Sequence, residues 1–167
     1  DKQFSMVHGL GELTKSSTGE IYFATGPGPY LMKVGSDQTV STIMGTGSHQ
    51  GTPVVSQAPA SQPLGRPYSG GSSYVLGMDH ADRAYFRVGH DFFYIDTDNL
   101  VKQVGTAGAV RWYDVPDGSP FEIMASSMHV NLGTSGLAFD ANNNIYLAGA
   151  YQFGTTLNSA PRIIQIK

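Results

Sequence analysis

The hydrophobic residues of this chain lie in short runs, and each run is bounded by Gly, Asn, Asp or Ser. No long window shows the i, i+3, i+4, i+7 spacing of an amphipathic helix, whereas short apolar runs between turn residues are typical of β-strands. The pattern predicts an all-β chain with strands at Phe4–Val7, Glu20–Ala24, Tyr30–Val34, Val40–Met44, Tyr74–Met78, Ala84–Val88, Phe92–Asp96, Leu100–Val104, Trp112–Val115, Ser135–Asp140, Asn144–Ala148 and Arg162–Ile166.

These strands recur as three similar units. The apolar strands around Tyr22, Tyr85 and Tyr146 align with one another at steps of 63 and 61 residues. In Ile21–Ala24 and Ile145–Ala148 the apolar residues do not alternate with polar ones, which is typical of strands that are covered on both faces. Sheets with two apolar faces are buried when they stack radially on one another, as the blades of a β-propeller do.

Each unit is therefore predicted to be a propeller blade, a four-stranded antiparallel meander. The third unit ends after its third strand, and a ring closes with about four to eight blades. We expect a ring that is incomplete within this chain and is completed by a protein partner, further segments or further copies. The predicted organisation is a single propeller segment over residues 1–167, with units at about 4–47, 74–108 and 135–167 and long insertions at 45–71 and 111–134.

Four motifs within these units resemble the NHL-repeat family of β-propellers. They read GLAFD, NIYLA, RIIQI and VSTIMGTG, at Gly136–Asp140, Asn144–Ala148, Arg162–Ile166 and Val40–Gly47. The chain lacks the family's Asn-His-Arg group, and its repeats are longer. The resemblance implies an NHL-like ring of four-stranded blades. Related propeller lyases bind metal with histidines around the central channel, so it also implies a metal-dependent lyase or hydrolase as an alternative.

Composition narrows the possible partners. Charged residues are 14% of the chain, the formal net charge is −3, and Lys and Arg occur singly, so a nucleic-acid-binding patch is not expected. No apolar run is long enough to span a membrane. The absence of cysteine excludes disulfides and Cys-ligated metal. The abundance of Gly, Ser, Thr and Asn favours an extracellular, cell-surface or virion structural component.

One stretch, DANNNIYLAG, carries oxygen ligands at alternate positions, namely Asp140, Asn142 and Asn144. An EF-hand calcium loop needs Gly at its sixth place and an acid at its twelfth, where this chain has Ile145 and Tyr151. A turn that leads into a buried strand is therefore the favoured interpretation, because Asn and Asp cap their own backbone. No cofactor is expected, with Ca²⁺ or another divalent metal at these three residues as the alternative.

Aromatic residues supply the candidate partner surface. Arg111, Trp112, Tyr113 and Tyr68 are predicted to bind a ligand or partner, with packing between blades as the alternative. The proline-rich segment Gly45–Gly71 is the expected contact loop. Together these features predict a non-enzymatic binding or assembly module that presents loops to a protein partner. A carbohydrate- or peptide-binding sensor is a further alternative to the lyase.

Overall fold

A computed structural model describes residues 10–25, 29–48, 50–65, 76–88, 91–104, 109–114, 120–124, 136–150 and 161–166. These residues form strands and one 3₁₀ turn, and no α-helix is found among them, so the predicted all-β class is confirmed. The elements are β1 (Leu10–Lys15), β2 (Ile21–Thr25), β3 (Tyr30–Val34), β4 (Val40–Met44), the 3₁₀ turn (Pro59–Ser61), β5 (Gly77–Met78), β6 (Ala84–Val88), β7 (Asp91–Ile95), β8 (Val101–Gln103), β9 (Ala109–Asp114), β10 (Pro120–Met124), β11 (Gly136–Phe139), β12 (Ile145–Ala150) and β13 (Pro161–Ile166).

The strands form three antiparallel sheets that we call blades. The first blade is the meander β1-β2-β3-β4, and the second blade is the meander β5-β6-β7-β8. The third blade has five strands in the order β10-β9-β13-β12-β11. The predicted four-stranded blades are therefore present in the first two units, and the third unit has the same first three strands.

The third blade is completed by strands that precede it in sequence. β9 pairs antiparallel with β13, with Trp112 opposite Ile164, and β10 pairs with the other edge of β9. The unit was predicted to lack a fourth strand, and residues 111–134 were predicted to be an insertion. Part of that insertion instead supplies the missing strand, because an unpaired edge of β13 would leave its backbone groups without partners.

Most predicted strand bounds agree with the structure to within one or two residues. Two strands were missed: β1, whose sequence LGELTK has few apolar residues, and β10, which lies within the predicted insertion 111–134. The predicted strand Phe4–Val7 lies outside the described residues. The described part of the predicted strand Tyr74–Met78 holds only the two-residue β5.

Each blade has two faces, which we name by chain order. The leading face points toward the preceding blade and the trailing face points toward the following one. The trailing face of the first blade and the leading face of the second blade enclose the main described core, with one residue from the intervening segment. Its buried members are Ala24, Leu31, Met44, Leu64, Leu76, Phe86, Val88, Phe93 and Val101.

The second and third blades meet in the same way. The Tyr85 ring, on the trailing face of the second blade, packs against Phe139 of β11 with centroids 4.8 Å apart. Gly77 lies beside them, and a Cβ atom at Gly77 would be 2.3 Å from Cδ2 of Leu137. A small residue at Gly77 is therefore what allows the first strand of the third blade to approach this closely.

Residues 50–65, which we call the excursion, cover the outer edge of the first two blades. Ser56 N–H donates to Val101 O at 2.7 Å, and Val101 N–H donates to Gln57 O at 2.9 Å, so the excursion pairs with β8. Leu64 is fully buried in the core between the blades. This part of the predicted contact loop is thus anchored, and it exposes Val54 and Val55 at its surface.

Candidate functional site

A cleft of about 350 Å³ opens between the first and second blades, at the end where the β1–β2 and β5–β6 turns lie. We call it the inter-blade cleft. The trailing face of the first blade forms one wall, and the β5–β6 and β7–β8 turns with nearby strand residues form the other. Its lining residues are Tyr22, Lys33, Ser41, Ile43, Asp82, Ala84, Ile95, Asp96, Thr97 and Asn99.

The first wall carries a paired cation. Lys33 lies opposite Tyr22 in the β2–β3 ladder, and its Nζ is 2.8 Å from Oε1 of Glu20. The hydrogen bond to Glu20 raises the pKa of Lys33, so the ammonium form is favoured. Burial raises the pKa of Tyr22, with the nearby Glu20 charge adding to the shift, so its phenol stays protonated.

The second wall carries two aspartates in tight turns. Asp82 has a positive φ of 59° in the β5–β6 turn, a conformation that Asp tolerates. Its Oδ1 accepts the Ser17 N–H at 2.7 Å, and hydrogen bonds from Ser17 lower the pKa of the carboxyl. Asp96 begins the β7–β8 turn, where its Oδ1 accepts the Thr97 N–H at 2.9 Å.

The charges of the cleft do not balance. Lys33 and Glu20 neutralise each other as a pair, and Lys33 is the one lysine or arginine among the described lining residues, so Asp82 and Asp96 have no further cation to balance them there. The cleft therefore carries a net negative charge at neutral pH. Its walls also hold apolar surface from Ile43 and Ile95, so the site combines acidic acceptors with room for a hydrocarbon stem.

The bond between Ser17 and Asp82 belongs to a repeated contact. One blade onward, the His80 N–H donates to Oδ1 of Asn143 at 3.2 Å. The donors Ser17 and His80 are equivalent in the repeat, and so are the acceptors Asp82 and Asn143. Both acceptors have a positive φ, which is 59° at Asp82 and 61° at Asn143. We call this contact the amide clasp, because a turn amide of one blade is held by a side chain of the next.

The predicted metal residues form a closed turn. Oδ1 of Asp140 accepts the N–H groups of Asn142 and Asn144, at 2.9 and 3.0 Å. Its Oδ2 accepts the Asn144 Nδ2–H at 2.8 Å and the Tyr146 O–H at 3.1 Å. Both carboxylate oxygens of Asp140 thus accept hydrogen bonds within this turn and its strand, as those of Asp79 do in the second blade. Divalent metal at these residues stays the alternative prediction.

The Asp140 turn gives a pH-dependent contribution to stability. The Asn144 side chain, with the backbone amides, lowers the pKa of Asp140 below its ordinary value of 3.8, because these bonds favour the carboxylate. The contribution is present above that value and is lost as the pH falls through the lowered pKa. In thermal melts, wild type is expected to exceed Asp140→Asn in Tm most at neutral pH, with the gap shrinking as the pH falls below 3.8.

Thr42→Ser, an uncharged change on exposed β4, serves as the control for that series, and its difference from wild type should not depend on pH. A Tm gap for Asp140→Asn that stays constant between neutral and acid pH would contradict the assignment.

Partner binding by Arg111, Trp112, Tyr113 and Tyr68 stays a prediction. Arg111, Trp112 and Tyr113 lie on β9, between β10 and β13. Tyr68 lies outside the described residues. Sequence reasoning missed Lys33, Asp82 and Asp96 as one group, because they come from two units. The repeat alignment could have placed Asp82 beside the preceding blade, had the turns been compared across units.

Comparison with known proteins assigns no family. No family model and no curated protein matches the chain. Solved structures that match include selenomethionine-substituted virginiamycin B lyase from Staphylococcus aureus, at 12% identity and a TM-score of 0.40. The match covers 95% of this chain and 51% of that one, so the chain spans about half the length of that structure. The NHL-like resemblance stays a prediction.

The residues that the structure describes hold no group of three or more His, Cys, Asp or Glu that could bind a metal ion. They also hold no helix of the length and hydrophobicity that a membrane span requires.

Proposed function

We propose that this chain is a non-enzymatic binding module, and that the inter-blade cleft receives a basic side chain of a protein partner. The observation that carries the proposal is the unbalanced pair Asp82 and Asp96 in a cleft whose cation, Lys33, is already paired. An arginine or lysine of the partner would neutralise them. Charge-assisted hydrogen bonds of this kind are stronger than neutral ones.

The rest of the cleft suits such a side chain. Ile43, Ala84 and Ile95 offer apolar contact to its methylene stem, and Asn99 and Thr97 add polar groups at the rim. The ion pair of Lys33 and Glu20 has no net charge, so it discriminates little between basic and acidic side chains. Discrimination against an acidic side chain of the partner therefore comes from Asp82 and Asp96. Recognition of a basic side chain on a protein partner agrees with the predicted binding module more closely than with an enzyme that acts on a substrate.

The test compares short peptides that differ only in charge. An arginine-containing peptide, its glutamate counterpart and a neutral oligosaccharide are titrated into the protein by NMR or calorimetry. We expect the arginine peptide to bind and Asp96→Asn to weaken it by about 10- to 100-fold, the size of a lost charge-assisted hydrogen bond. Asn can keep the bond to the Thr97 N–H, so the turn should be preserved.

Asp98→Asn is the matched control. Asp98 lies two residues away in the same turn, where it pairs with Lys102 at 3.0 Å and does not line the cleft. It should leave peptide affinity unchanged. Equal affinity for the arginine and glutamate peptides would contradict the proposal, and saturable binding of the oligosaccharide alone would favour the carbohydrate sensor instead.

A further inference from the structure

The outer strands of the second and third blades are covered along their edges. Val101, the first residue of β8, donates its N–H to Gln57 O at 2.9 Å, and its carbonyl accepts the Ser56 N–H at 2.7 Å. In the third blade, β10 pairs with β9 from Ala109 to Tyr113. Such cover satisfies backbone groups that an edge strand otherwise leaves unpaired.

The outer strand of the first blade, β4, lacks a cover of this kind over most of its length within the described residues. Among the described strands it pairs only with β3, and Ser41 and Thr42 are exposed. The excursion reaches only the end of the strand, where the Gly45 N–H donates to Gln62 O at 3.0 Å. The open edge comprises residues 40–43. Their sequence, VSTI, has none of the charged residues or prolines that commonly protect edges.

The hairpin between β3 and β4 fixes which backbone groups of β4 point outward. The Gly35 N–H donates to Thr39 O at 2.9 Å, so these two residues form a hydrogen-bonded pair. Bonded and non-bonded pairs alternate in an antiparallel ladder, which makes Lys33 and Ser41 the next bonded pair. The backbone groups of the residues on either side of Ser41 therefore point away from β3.

Those two residues are Val40 and Thr42, and each presents an N–H and a C=O group at the open edge. Val40 begins β4 as Val101 begins β8, and the outward groups of Val101 are those that the excursion binds. The second blade thus shows that an extended segment fits against this position of a blade.

The open edge adjoins the inter-blade cleft. Tyr22 lies opposite Lys33, and Lys33 lies opposite Ser41, so the three residues form one row across the sheet. All three line the cleft. A strand added to β4 would place its next residue in this row beside Ser41, with the two Cβ atoms about 4.5–5.5 Å apart. That side chain would project into the cleft, whose other wall carries Asp82 and Asp96.

We propose that the partner presents an extended segment that pairs antiparallel with β4 and places an arginine or lysine beside Ser41. The inference rests on the proposed function, because the acidic cleft is what selects the basic residue. Antiparallel pairing matches every pairing of the described strands. Backbone hydrogen bonds to Val40 and Thr42 give affinity, and the basic side chain gives specificity.

Backbone N-methylation of the arginine peptide tests the pairing. In the proposed register, the residues before and after the arginine bond to Thr42 and Val40, whereas the arginine N–H points away from β4. Methylation of either flanking amide is expected to weaken binding by about 10-fold, because it removes a backbone hydrogen bond and places a methyl group against the strand. Methylation of the arginine amide is the matched control and should leave affinity unchanged. Equal effects at all three amides would overturn the register.

The Thr42→Pro variant removes the matching donor from the protein. Proline is tolerated on an edge strand where its nitrogen faces outward, so thermal melts should show a folded variant. We expect it to bind the arginine peptide about 10-fold more weakly, since one backbone hydrogen bond is lost and the proline ring obstructs the edge. Wild-type affinity in the folded variant would count against pairing at β4.

Hydrogen exchange of the wild-type protein gives a readout that needs no variant. The Val40 and Thr42 amides are expected to exchange rapidly in the free protein and slowly with saturating arginine peptide. The Ser41 amide bonds to β3, so its exchange should be slow in both states. Unchanged exchange of Val40 and Thr42 at saturation would overturn the inference.

The Asp96→Asn variant separates this inference from the proposed function. If Asp96→Asn weakens the arginine peptide while N-methylation and exchange show no pairing with β4, the cleft receives a basic side chain without strand addition, and only the present inference fails. If the arginine peptide binds no better than its glutamate counterpart, the proposed function fails, and the inference that rests on it fails too.

Discussion

Replacement of Phe86 with Ala is expected to lower the free energy of unfolding by about 3–5 kcal/mol. Phe86 is 1% exposed at the centre of the interface between the first and second blades, where its ring stacks on Phe93 with centroids 6.0 Å apart. The loss combines the transfer of apolar surface to water with the cavity that remains between two sheets. Denaturant unfolding at a fixed protein concentration measures it.

Phe86→Leu is the matched control for this prediction. It keeps most of the buried apolar volume, so it should cost less than about 1.5 kcal/mol. If Phe86→Ala unfolds within about 1 kcal/mol of wild type, a loss typical of an average substitution, then the two blades do not share one core.

The Leu64→Ala variant is expected to lose about 2–5 kcal/mol, although the residue lies in a proline-rich segment outside the blades. Leu64 has no exposed surface and packs in the core with Met44 and Val101, while the excursion pairs with β8. Removing its side chain leaves a cavity and frees the segment from the core. Denaturant unfolding gives the energy, and limited proteolysis should cut the excursion faster in the variant.

Val55→Ala tests whether that loss is specific to the anchor. Val55 is 42% exposed on the same excursion, so its truncation should change stability by less than about 0.5 kcal/mol. Similar losses for both variants would mean that the excursion is held by its whole surface, and not by Leu64.

The fold could be predicted well from local pattern. Short apolar runs between turn residues predicted the strands, and the recurrence of Tyr22, Tyr85 and Tyr146 predicted the repeated blades. These features depend on neighbouring residues, whose side chains point to alternate faces of a strand. The strand β1 was missed because LGELTK has few apolar residues, and β10 was missed within a segment predicted to be an insertion.

The candidate site could not be predicted in this way. Lys33 and Asp96 are 63 residues apart, and only the stacking of two blades brings them to one cleft. In the sequence, Asp82 and Asp140 look alike as turn acids. The structure separates them, because Asp82 accepts a hydrogen bond from another blade while both oxygens of Asp140 are used within its own turn.

By itself, the sequence determined the class of fold, the repeat and the turn chemistry of DANNNIYLAG, since each follows from the periodicity and backbone preferences of adjacent residues. Only the tertiary structure decided that β9 completes the third blade, that Leu64 belongs to the core, and that Leu13 is exposed on β1. The reason is physical. Pairing and burial between distant segments depend on which faces and edges meet, and no local pattern records that.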